Sequence, residues 1–184
     1  MGNLERRDMT AREFVVWEAE QDERYEFVDG EVSAMTGGTY AHDRTRTNLS
    51  AALLQHLRGT PCRIIGPDIR LRVDAETPGY YPDLFVVCRN VDSQTAELNE
   101  AKLVIEVISP TTEKKDRGAK WENYQRLATL EEYVLIDPGK QRIEIYRRLD
   151  TRDWRLHICS AEETIRFESI DFSIAFDAVF EDLS

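Results

Sequence analysis

The sequence predicts an α/β or α+β fold in which helices flank a mixed central sheet. Two segments, PDLFVVC (82–88) and KLVIEVIS (102–109), have apolar cores, the second interrupted by a single glutamate, and such cores are typical of strands buried on both faces. Helical patterns precede and follow this pair, so the predicted element order is α-β-β-α-β-β-β-α-β-β-β. A chain of 184 residues suits one compact domain, and we expect a single domain over 1–184.

The N-terminal third should contain two helices separated by a hairpin. Thr10 begins the first helix, and Glu13 completes a capping box with it. RYEFV and EVSAM flank Asp29-Gly30, which is a strong signal for a two-residue hairpin turn. Leucines at helical spacing then predict a second helix over about 41–58, and CRIIGPDIRLRV indicates one or two strands after it.

The segment after the two buried strands combines one helix with several more strands. Thr112 can cap a helix over about 113–128, after which EYVLID, RIEIYRR and WRLHIC indicate strands separated by turns. We expect RIEIYRR and WRLHIC to form a hairpin that is anchored by Tyr146 and Trp154. TIRF and an amphipathic SIAFDAVFEDL close the chain.

Composition and charge argue against several classes of protein. Apolar residues make up 41% of the chain, and no apolar run reaches the ~20 residues of a membrane helix. The net charge of −11 argues against a nonspecific nucleic-acid coat, but not against an enzyme with a locally basic cleft. Cys62, Cys88 and Cys159 are widely spaced without a CxxC pair, which predicts reduced thiols in a cytoplasmic protein and argues against a zinc cluster.

One carboxylate, Glu106, stands in the middle of the second buried strand, where an unpaired charge is costly. Asp83 opens the first buried strand, and the segment between the two residues suits neighbouring strands joined by a loop. Two adjacent carboxylates repel, and Mg²⁺ would remove the conflict because it prefers hard oxygen ligands. Alternatively, Asp83 is a turn residue, and Glu106 lies on an exposed sheet face or pairs with a buried arginine.

The helix after Glu106 carries a lysine on the side that should pack on the sheet. Asp116, Lys120 and Tyr124 are spaced i, i+4, i+8 and share one helical face. The Lys120 ammonium can therefore approach the two carboxylates. A solvated Asp116–Lys120 pair of little energetic value is the simpler alternative.

Together, Asp83, Glu106 and Lys120 resemble the active-site motif of the PD-(D/E)XK nuclease superfamily, which has the restriction-endonuclease-like fold. The chain is more closely similar to the Uma-two family of endonucleases over about residues 10–182. The matching segments are YEFVDGE, His42 ahead of the second helix, PDLFVV, LVIEVISPTT, D-x-x-x-K-x-x-x-Y (116–124), EYVLIDP and FDAVF. Their order and spacing together make the resemblance specific.

The resemblance implies a DNA endonuclease that depends on Mg²⁺ or Mn²⁺. Asp83 and Glu106 would hold the ion, with the Val107 carbonyl as a third ligand, and the ion would activate water and polarise the phosphate. The chain departs from the superfamily pattern at Ile108, which stands where the motif has a lysine. Several lineages supply the lysine from a following helix, and Lys120 fits that role, in which it would orient the water or stabilise the transition state.

The same resemblance draws attention to the hairpin and to the second helix. Glu26 and Glu31 flank the hairpin turn, and either can supply another acid to the site or remain solvated; of the two we favour Glu31. His42 can contact phosphate or serve as a plain polar residue at a helix start. His56 and His157 have no partner at a recognisable spacing, and we interpret both as structural.

Three functions remain open from the sequence. The first is a DNA endonuclease, the second a catalytically weak nucleic-acid-binding or accessory protein on the same fold, and the third a metal-dependent enzyme with another substrate. A basic surface near Lys114, Lys115, Arg117 and Arg142 would favour a nucleic-acid substrate. Cleaving both strands of a duplex needs two active sites or a reorientation, so we expect a two-fold homodimer.

Overall fold

The computed structural model describes residues 5–6, 9–28, 30–35, 37–74, 77 and 79–183. Its helices are α1 (Ala11–Glu18), α2 (Tyr40–His56), α3 (Glu113–Arg117), α4 (Ala119–Tyr124) and α5 (Phe176–Val179). Its strands are β1 (Glu5–Arg6), β2 (Tyr25–Val28), β3 (Glu31–Ala34), β4 (Arg63–Ile65), β5 (Arg70–Leu71), β6 (Leu84–Val87), β7 (Glu97–Leu98), β8 (Leu103–Val107), β9 (Glu132–Asp137), β10 (Arg142–Arg148), β11 (Trp154–Cys159), β12 (Thr164–Phe167) and β13 (Phe172–Ala175). None of these helices is long and apolar enough to cross a membrane.

The central sheet has six strands in the order β11-β10-β9-β8-β6-β4. β8 and β9 are parallel and the other neighbours are antiparallel, so the sheet is mixed, as the sequence predicted. Every residue of β6 and β8 is buried. Both strands lie inside the sheet with both faces covered, which explains why all of their residues except Glu106 are apolar.

Two hydrophobic layers cover the two faces of this sheet. The α2 layer packs Leu49 and other leucines of α2 against the sheet together with C-terminal side chains such as Phe176. The α4 layer contains Tyr124 of α4 and Tyr133 of β9. Side chains alternate along a strand. Ile105 of β8 therefore belongs to the α2 layer, whereas the residues directly before and after it, Val104 and Glu106, face the α4 layer.

The N-terminal elements follow the predicted pattern. Thr10 and Glu13 form the capping box of α1, in which the Thr10 N–H donates to Glu13 Oε2 (2.7 Å) and the Glu13 N–H donates to Thr10 Oγ1 (3.3 Å). β2 and β3 form the predicted hairpin. Gly30 has φ +79°, the left-handed conformation that glycine tolerates, and Asp29, the other turn residue, lies outside the described residues.

The prediction of one capped helix over 113–128 is wrong. α3 ends before Gly118 and α4 begins after it, because Gly118 has φ −105° and ψ −109°, far from helical values. A Cβ at this position would lie 2.9 Å from the Lys114 carbonyl oxygen, so the break requires glycine. Thr112 makes no side-chain cap, and its hydroxyl instead accepts a hydrogen bond from the Ser109 N–H (3.1 Å).

The expectation of three reduced thiols is also wrong. Cys62 and Cys88 form a disulfide, and Cys159 is a free, buried cysteine. Antiparallel pairing places Arg63 of β4 opposite Val87 of β6, so the cysteines that flank these residues face each other. This pairing depends on the register of two strands and leaves no local motif in the sequence.

The predicted β10–β11 hairpin is confirmed. Tyr146 and Trp154 anchor it through a third ring: the ring of Trp121 in α4 lies 4.5 Å from that of Tyr146 and 4.9 Å from that of Trp154, between centroids. These aromatic contacts fix α4 to the outer strands of the sheet. The position of Lys120, the residue before Trp121, is fixed with it.

Glu144 of β10 connects the sheet to α3. Its side chain is 2% exposed and accepts hydrogen bonds from Arg117 Nη2 (3.1 Å) and Arg142 Nε (2.5 Å). Burial acts to raise the pKa of Glu144, but the hydrogen bonds from the two arginines hold it below its ordinary value. The ionised carboxylate therefore stabilises the folded state above the ordinary glutamate pKa, and this stabilisation is lost as pH falls through the lowered pKa.

Replacing Glu144 with glutamine should lower the free energy of unfolding by about 2 kcal/mol at neutral pH, since hydrogen bonds to a charged group are lost. The difference from wild type should shrink in acid, where the wild-type carboxylate is protonated. Urea denaturation at neutral and acidic pH measures both effects. Glu131→Gln is the matched control, because Glu131 forms an exposed ion pair with Lys102 at 3.5 Å, and its loss should cost less than about 1 kcal/mol. Equal losses in the two variants would contradict this role of Glu144.

Candidate active site

Asp83 directly precedes β6, and Glu106 lies in β8, the antiparallel neighbour of β6. Leu84 is paired with Ile105, so Asp83 and Glu106 occupy the next position along β6 and β8. Each carboxylate accepts a hydrogen bond from the main chain of the other strand: Val107 N–H donates to Asp83 Oδ2 (2.8 Å), and Asp83 N–H approaches Glu106 Oε2 (3.4 Å). The register of the sheet therefore holds the two acids side by side.

Glu106 projects into the α4 layer, where its side chain is 4% exposed. Its Oε1 accepts hydrogen bonds from Lys120 Nζ and from the Tyr124 hydroxyl, each at 3.2 Å. Burial raises the pKa of Glu106 well above its ordinary value; Lys120 opposes this shift, and the nearby carboxylates, Asp116 first among them, reinforce it. The alternative of an exposed sheet face is therefore wrong for Glu106.

Lys120 is the centre of this cluster. Its ammonium lies 2.9 Å from Glu26 Oε1, 3.2 Å from Glu106 Oε1 and 3.2 Å from Asp116 Oδ1. The side chain is 5% exposed, so the alternative of a solvated Asp116–Lys120 pair is wrong. Burial acts to lower the pKa of Lys120, but the carboxylates, led by Glu106, raise it well above its ordinary value and keep the ammonium charged.

The hairpin contributes Glu26 to the cluster, whereas Glu31, the residue that we favoured from the sequence, lies outside it. Glu31 pairs with Val28 beside the turn and is exposed. Glu26 pairs with Ser33, two positions farther from the turn, and its side chain is 12% exposed. The part of the hairpin distant from the turn thus reaches Lys120 of α4, whereas the glutamate beside the turn faces solvent.

His42 lies in the first turn of α2 and approaches the same site from the other side. Its Nε2 is 3.3 Å from Asp83 Oδ1. Burial acts to lower the pKa of His42, but Asp83 and the Val107 carbonyl favour the protonated ring, and the pKa lies above its ordinary value. A Cβ on Gly38 would lie 3.0 Å from the imidazole, so this glycine leaves room for the ring. His56, by contrast, contacts the Ile170 carbonyl oxygen (2.9 Å), in keeping with a structural role.

The sequence pointed to Asp83, Glu106 and Lys120 through their spacing, and it left Glu26 and Glu31 as alternatives for a further acid. Asp83, Glu106 and Lys120 meet at the ends of β6, β8 and the start of α4. Ile108, in the position of the superfamily's usual lysine, is buried at 3% exposure. The contact between Glu26 and Lys120 decides between the two glutamates, and the sequence offers no local signal for that contact.

Comparison with known proteins identifies relatives of this chain. The family model described as "Uma2: Putative restriction endonuclease" matches residues 11–177. Two proteins of Synechocystis sp. (strain ATCC 27184 / PCC 6803 / Kazusa) are similar over most of their length. "Uncharacterized protein slr1290" is 32% identical over 178 residues, covering 96% of this chain and 93% of the relative. "Uncharacterized protein sll1609" is 29% identical over 151 residues, covering 80% and 85%.

A solved structure has the same fold. It is described as the crystal structure of "a putative nuclease belonging to DUF820" from Anabaena variabilis ATCC 29413. The TM-score is 0.73 at 14% sequence identity, with 94% of this chain and 97% of that chain covered. The predicted fold class and the predicted resemblance are both confirmed, and the chain belongs to the Uma2 family of restriction-endonuclease-like proteins.

Proposed function

We propose that the protein is a metal-dependent nuclease that hydrolyses phosphodiester bonds in DNA. The observation that carries the proposal is the buried Lys120 ammonium, 3.2 Å from Glu106, whose second oxygen approaches the main chain of Asp83. A fixed cation beside paired carboxylates suits phosphodiester hydrolysis, which depends on positioning and on stabilisation of negative charge. Lys120 would thereby supply the positive charge that the superfamily's lysine usually provides, since Ile108 occupies the position of that lysine.

The residues present fit a divalent cation. Asp83, Glu106 and the Val107 carbonyl would hold Mg²⁺ or Mn²⁺, since all three offer the hard oxygen atoms that these ions prefer. Two more carboxylates, Glu26 and Asp116, lie around the same lysine, so negative groups outnumber the ammonium in this cluster. A bound ion would supply Lewis acidity toward the phosphate and would lower the pKa of a water molecule.

The protein's own side chains have separate roles in this proposal. Lys120 would stabilise the charge that develops on the phosphate and would orient the attacking water. Tyr124 holds the Glu106 carboxylate through its hydroxyl, and the Val107 N–H holds that of Asp83. His42 would position Asp83 from the opposite side, 3.3 Å away, at the helix end where the macrodipole favours a phosphate.

Positive charges near the site support DNA as the substrate. Lys114 is exposed, and Lys115 donates to Ser33 of the hairpin at 2.9 Å, so cations of α3 lie beside the hairpin that carries Glu26. Arg117 and Arg142 are bound to Glu144 and contribute less positive field. A two-fold homodimer would bring two such sites to the two strands of one duplex.

Incubation with supercoiled plasmid and Mn²⁺ or Mg²⁺ tests the proposal directly. Nicked and linear DNA should form, and EDTA should prevent both. Replacing Glu106 with glutamine should reduce the cleavage rate by at least about 100-fold, because the transition state loses several kcal/mol of stabilisation by the metal ion. Glu31→Gln removes an exposed carboxylate of the hairpin and should leave the rate unchanged.

Two results would contradict the proposal. One is cleavage that continues in EDTA, and the other is full activity in Glu106→Gln. If the wild-type protein retards DNA in a gel without cleaving it in either metal, a catalytically weak nucleic-acid-binding protein is the better description. Cleavage of a small phosphodiester with no retardation of DNA would favour an enzyme with another substrate.

A further inference from the structure

A second group of side chains lies at the end of β11, outside the candidate active site. His157, Cys159 and Glu163 form the pattern H-x-C-x-x-x-E, and their ligand atoms all lie within 4.8 Å of one another. His157 and Cys159 are two positions apart on one strand, so they share a face. Glu163 reaches the same place from the turn that leads to β12. His157, which we interpreted as structural, therefore has a neighbour in Glu163 that its spacing in the sequence did not indicate.

These three groups are held close together by the turn. His157 Nε2 lies 2.8 Å from Glu163 Oε2, and the other oxygen of this carboxylate accepts a hydrogen bond from the Ser160 hydroxyl (3.0 Å). The Cys159 thiol lies on the inner side and is 7% exposed. The imidazole and the carboxylate are each 42% exposed, so the group opens to solvent on one side.

We propose that His157, Cys159 and Glu163 form a binding site for Zn²⁺. Thiolate, imidazole and carboxylate are the donors that zinc combines, whereas Mg²⁺ and Ca²⁺ avoid sulfur and nitrogen. Donors around one tetrahedral zinc ion lie roughly 3.3 to 3.8 Å apart, so small side-chain rotations suffice to close the site. Three protein donors leave a fourth position open to water. The site needs a single cysteine, and the absence of a CxxC pair does not argue against it.

The zinc site would be independent of the candidate active site. Cys159 is paired with Ile143 and His157 with Ile145, and both isoleucines belong to the α2 layer. Glu106 instead faces Tyr124 in the α4 layer, on the opposite face of the sheet. β11 and β8 are separated by three strand-to-strand steps, which is roughly 14 Å. The proposal therefore does not depend on the nuclease activity.

The charges near the thiol permit a cation to bind. Arg147 is the nearby cation, but its guanidinium is paired with Glu132 (2.9 Å) and Glu168 (3.6 Å). Burial, reinforced by Glu163, raises the pKa of the Cys159 thiol to about 11, so the metal-free thiol keeps its proton at neutral pH. Zinc would displace that proton, as it does when it binds other cysteines.

Cobalt substitution tests the site, because a Co²⁺–thiolate bond produces a near-ultraviolet charge-transfer band. With Cys62 and Cys88 joined in a disulfide, Cys159 is the one remaining thiol of the chain's three cysteines, so the band can report that residue alone. The oxidised wild-type protein should bind one equivalent of Co²⁺ with this band, and Zn²⁺ should displace it. Cys159→Ser should abolish the band.

Two surface variants keep the test decisive if the buried Cys159→Ser protein folds poorly. His157→Gln and Glu163→Gln should each weaken Zn²⁺ binding at least roughly tenfold. Losing a metal ligand lowers the affinity at least as much as losing a residue that only hydrogen-bonds to a ligand. Glu162→Gln makes the same charge change at the adjacent exposed residue and should bind like wild type. Asp83→Asn should keep the band. Wild-type protein without a thiolate band in excess Co²⁺, or an unchanged band in Cys159→Ser, would overturn the proposal.

Discussion

Replacing Lys120 with methionine should reduce DNA cleavage by about 10²- to 10³-fold while metal affinity stays the same or rises. The ammonium is the cation that would stabilise the transition state, and loss of one such group costs about 10²- to 10³-fold in rate. The same ammonium lies within 3.2 Å of Glu26, Glu106 and Asp116, so its removal increases the negative charge that attracts a divalent ion. Isothermal titration with Mn²⁺ and a plasmid assay measure the two effects separately.

The stability of the Lys120→Met protein provides a second measurement. Without metal, the variant should unfold about 3 to 5 kcal/mol more easily, because buried carboxylates lose their shared partner. Mn²⁺ should raise its thermal midpoint more than that of wild type. Lys102→Met is the matched control, since Lys102 makes a partly exposed pair with Glu131 and should leave activity unchanged. Full activity in Lys120→Met, with activity lost in Asp83→Asn, would make Lys120 a purely structural residue.

Replacing Asp83 with asparagine should weaken metal binding and cleavage together. The asparagine carbonyl can still accept the hydrogen bond from the Val107 N–H, which is 2.8 Å long in the wild type, so the β6–β8 register should persist. The negative charge on the ligand is lost, and the cleavage rate should fall at least about 100-fold. Mn²⁺ titration, the plasmid assay and circular dichroism together separate loss of metal from loss of fold.

An exposed aspartate serves as the control for Asp83. Asp68 is paired with Arg24, and its side chain is 83% exposed, so Asp68→Asn should change neither metal binding nor cleavage. Asp83→Asn with unchanged Mn²⁺ affinity would contradict a role for Asp83 as a metal ligand. Lost activity with unchanged affinity would leave it a role in positioning His42, its neighbour at 3.3 Å.

The central part of the fold could be predicted because its signals are local. Apolar runs identified β6 and β8, the second broken only by Glu106, and the connecting loop predicted that Asp83 and Glu106 are neighbours. The i, i+4 spacing was enough to place Asp116 beside Lys120, although the intervening backbone turned out not to be one regular helix.

The remaining features depend on contacts between distant segments. The position of the β2–β3 hairpin relative to Lys120 decides which of Glu26 and Glu31 approaches it. Strand alternation cannot distinguish the two glutamates, because it places both on the same face of the hairpin. The Cys62–Cys88 bridge depends on the register of β4 against β6. Both require tertiary structure, which periodicity in one sequence does not encode.

The contacts of Lys120 also affect the entropy of ligand binding. A free lysine side chain samples many rotamers, and immobilising it costs about 2 kcal/mol of conformational entropy. Here three carboxylates, together with the ring of Tyr80 at 5.7 Å from the ammonium, already confine the side chain. That entropy is lost once, when the chain folds. A ligand that binds beside the ammonium therefore meets a group already fixed in one orientation, and its affinity is not reduced by the ordering of a flexible side chain.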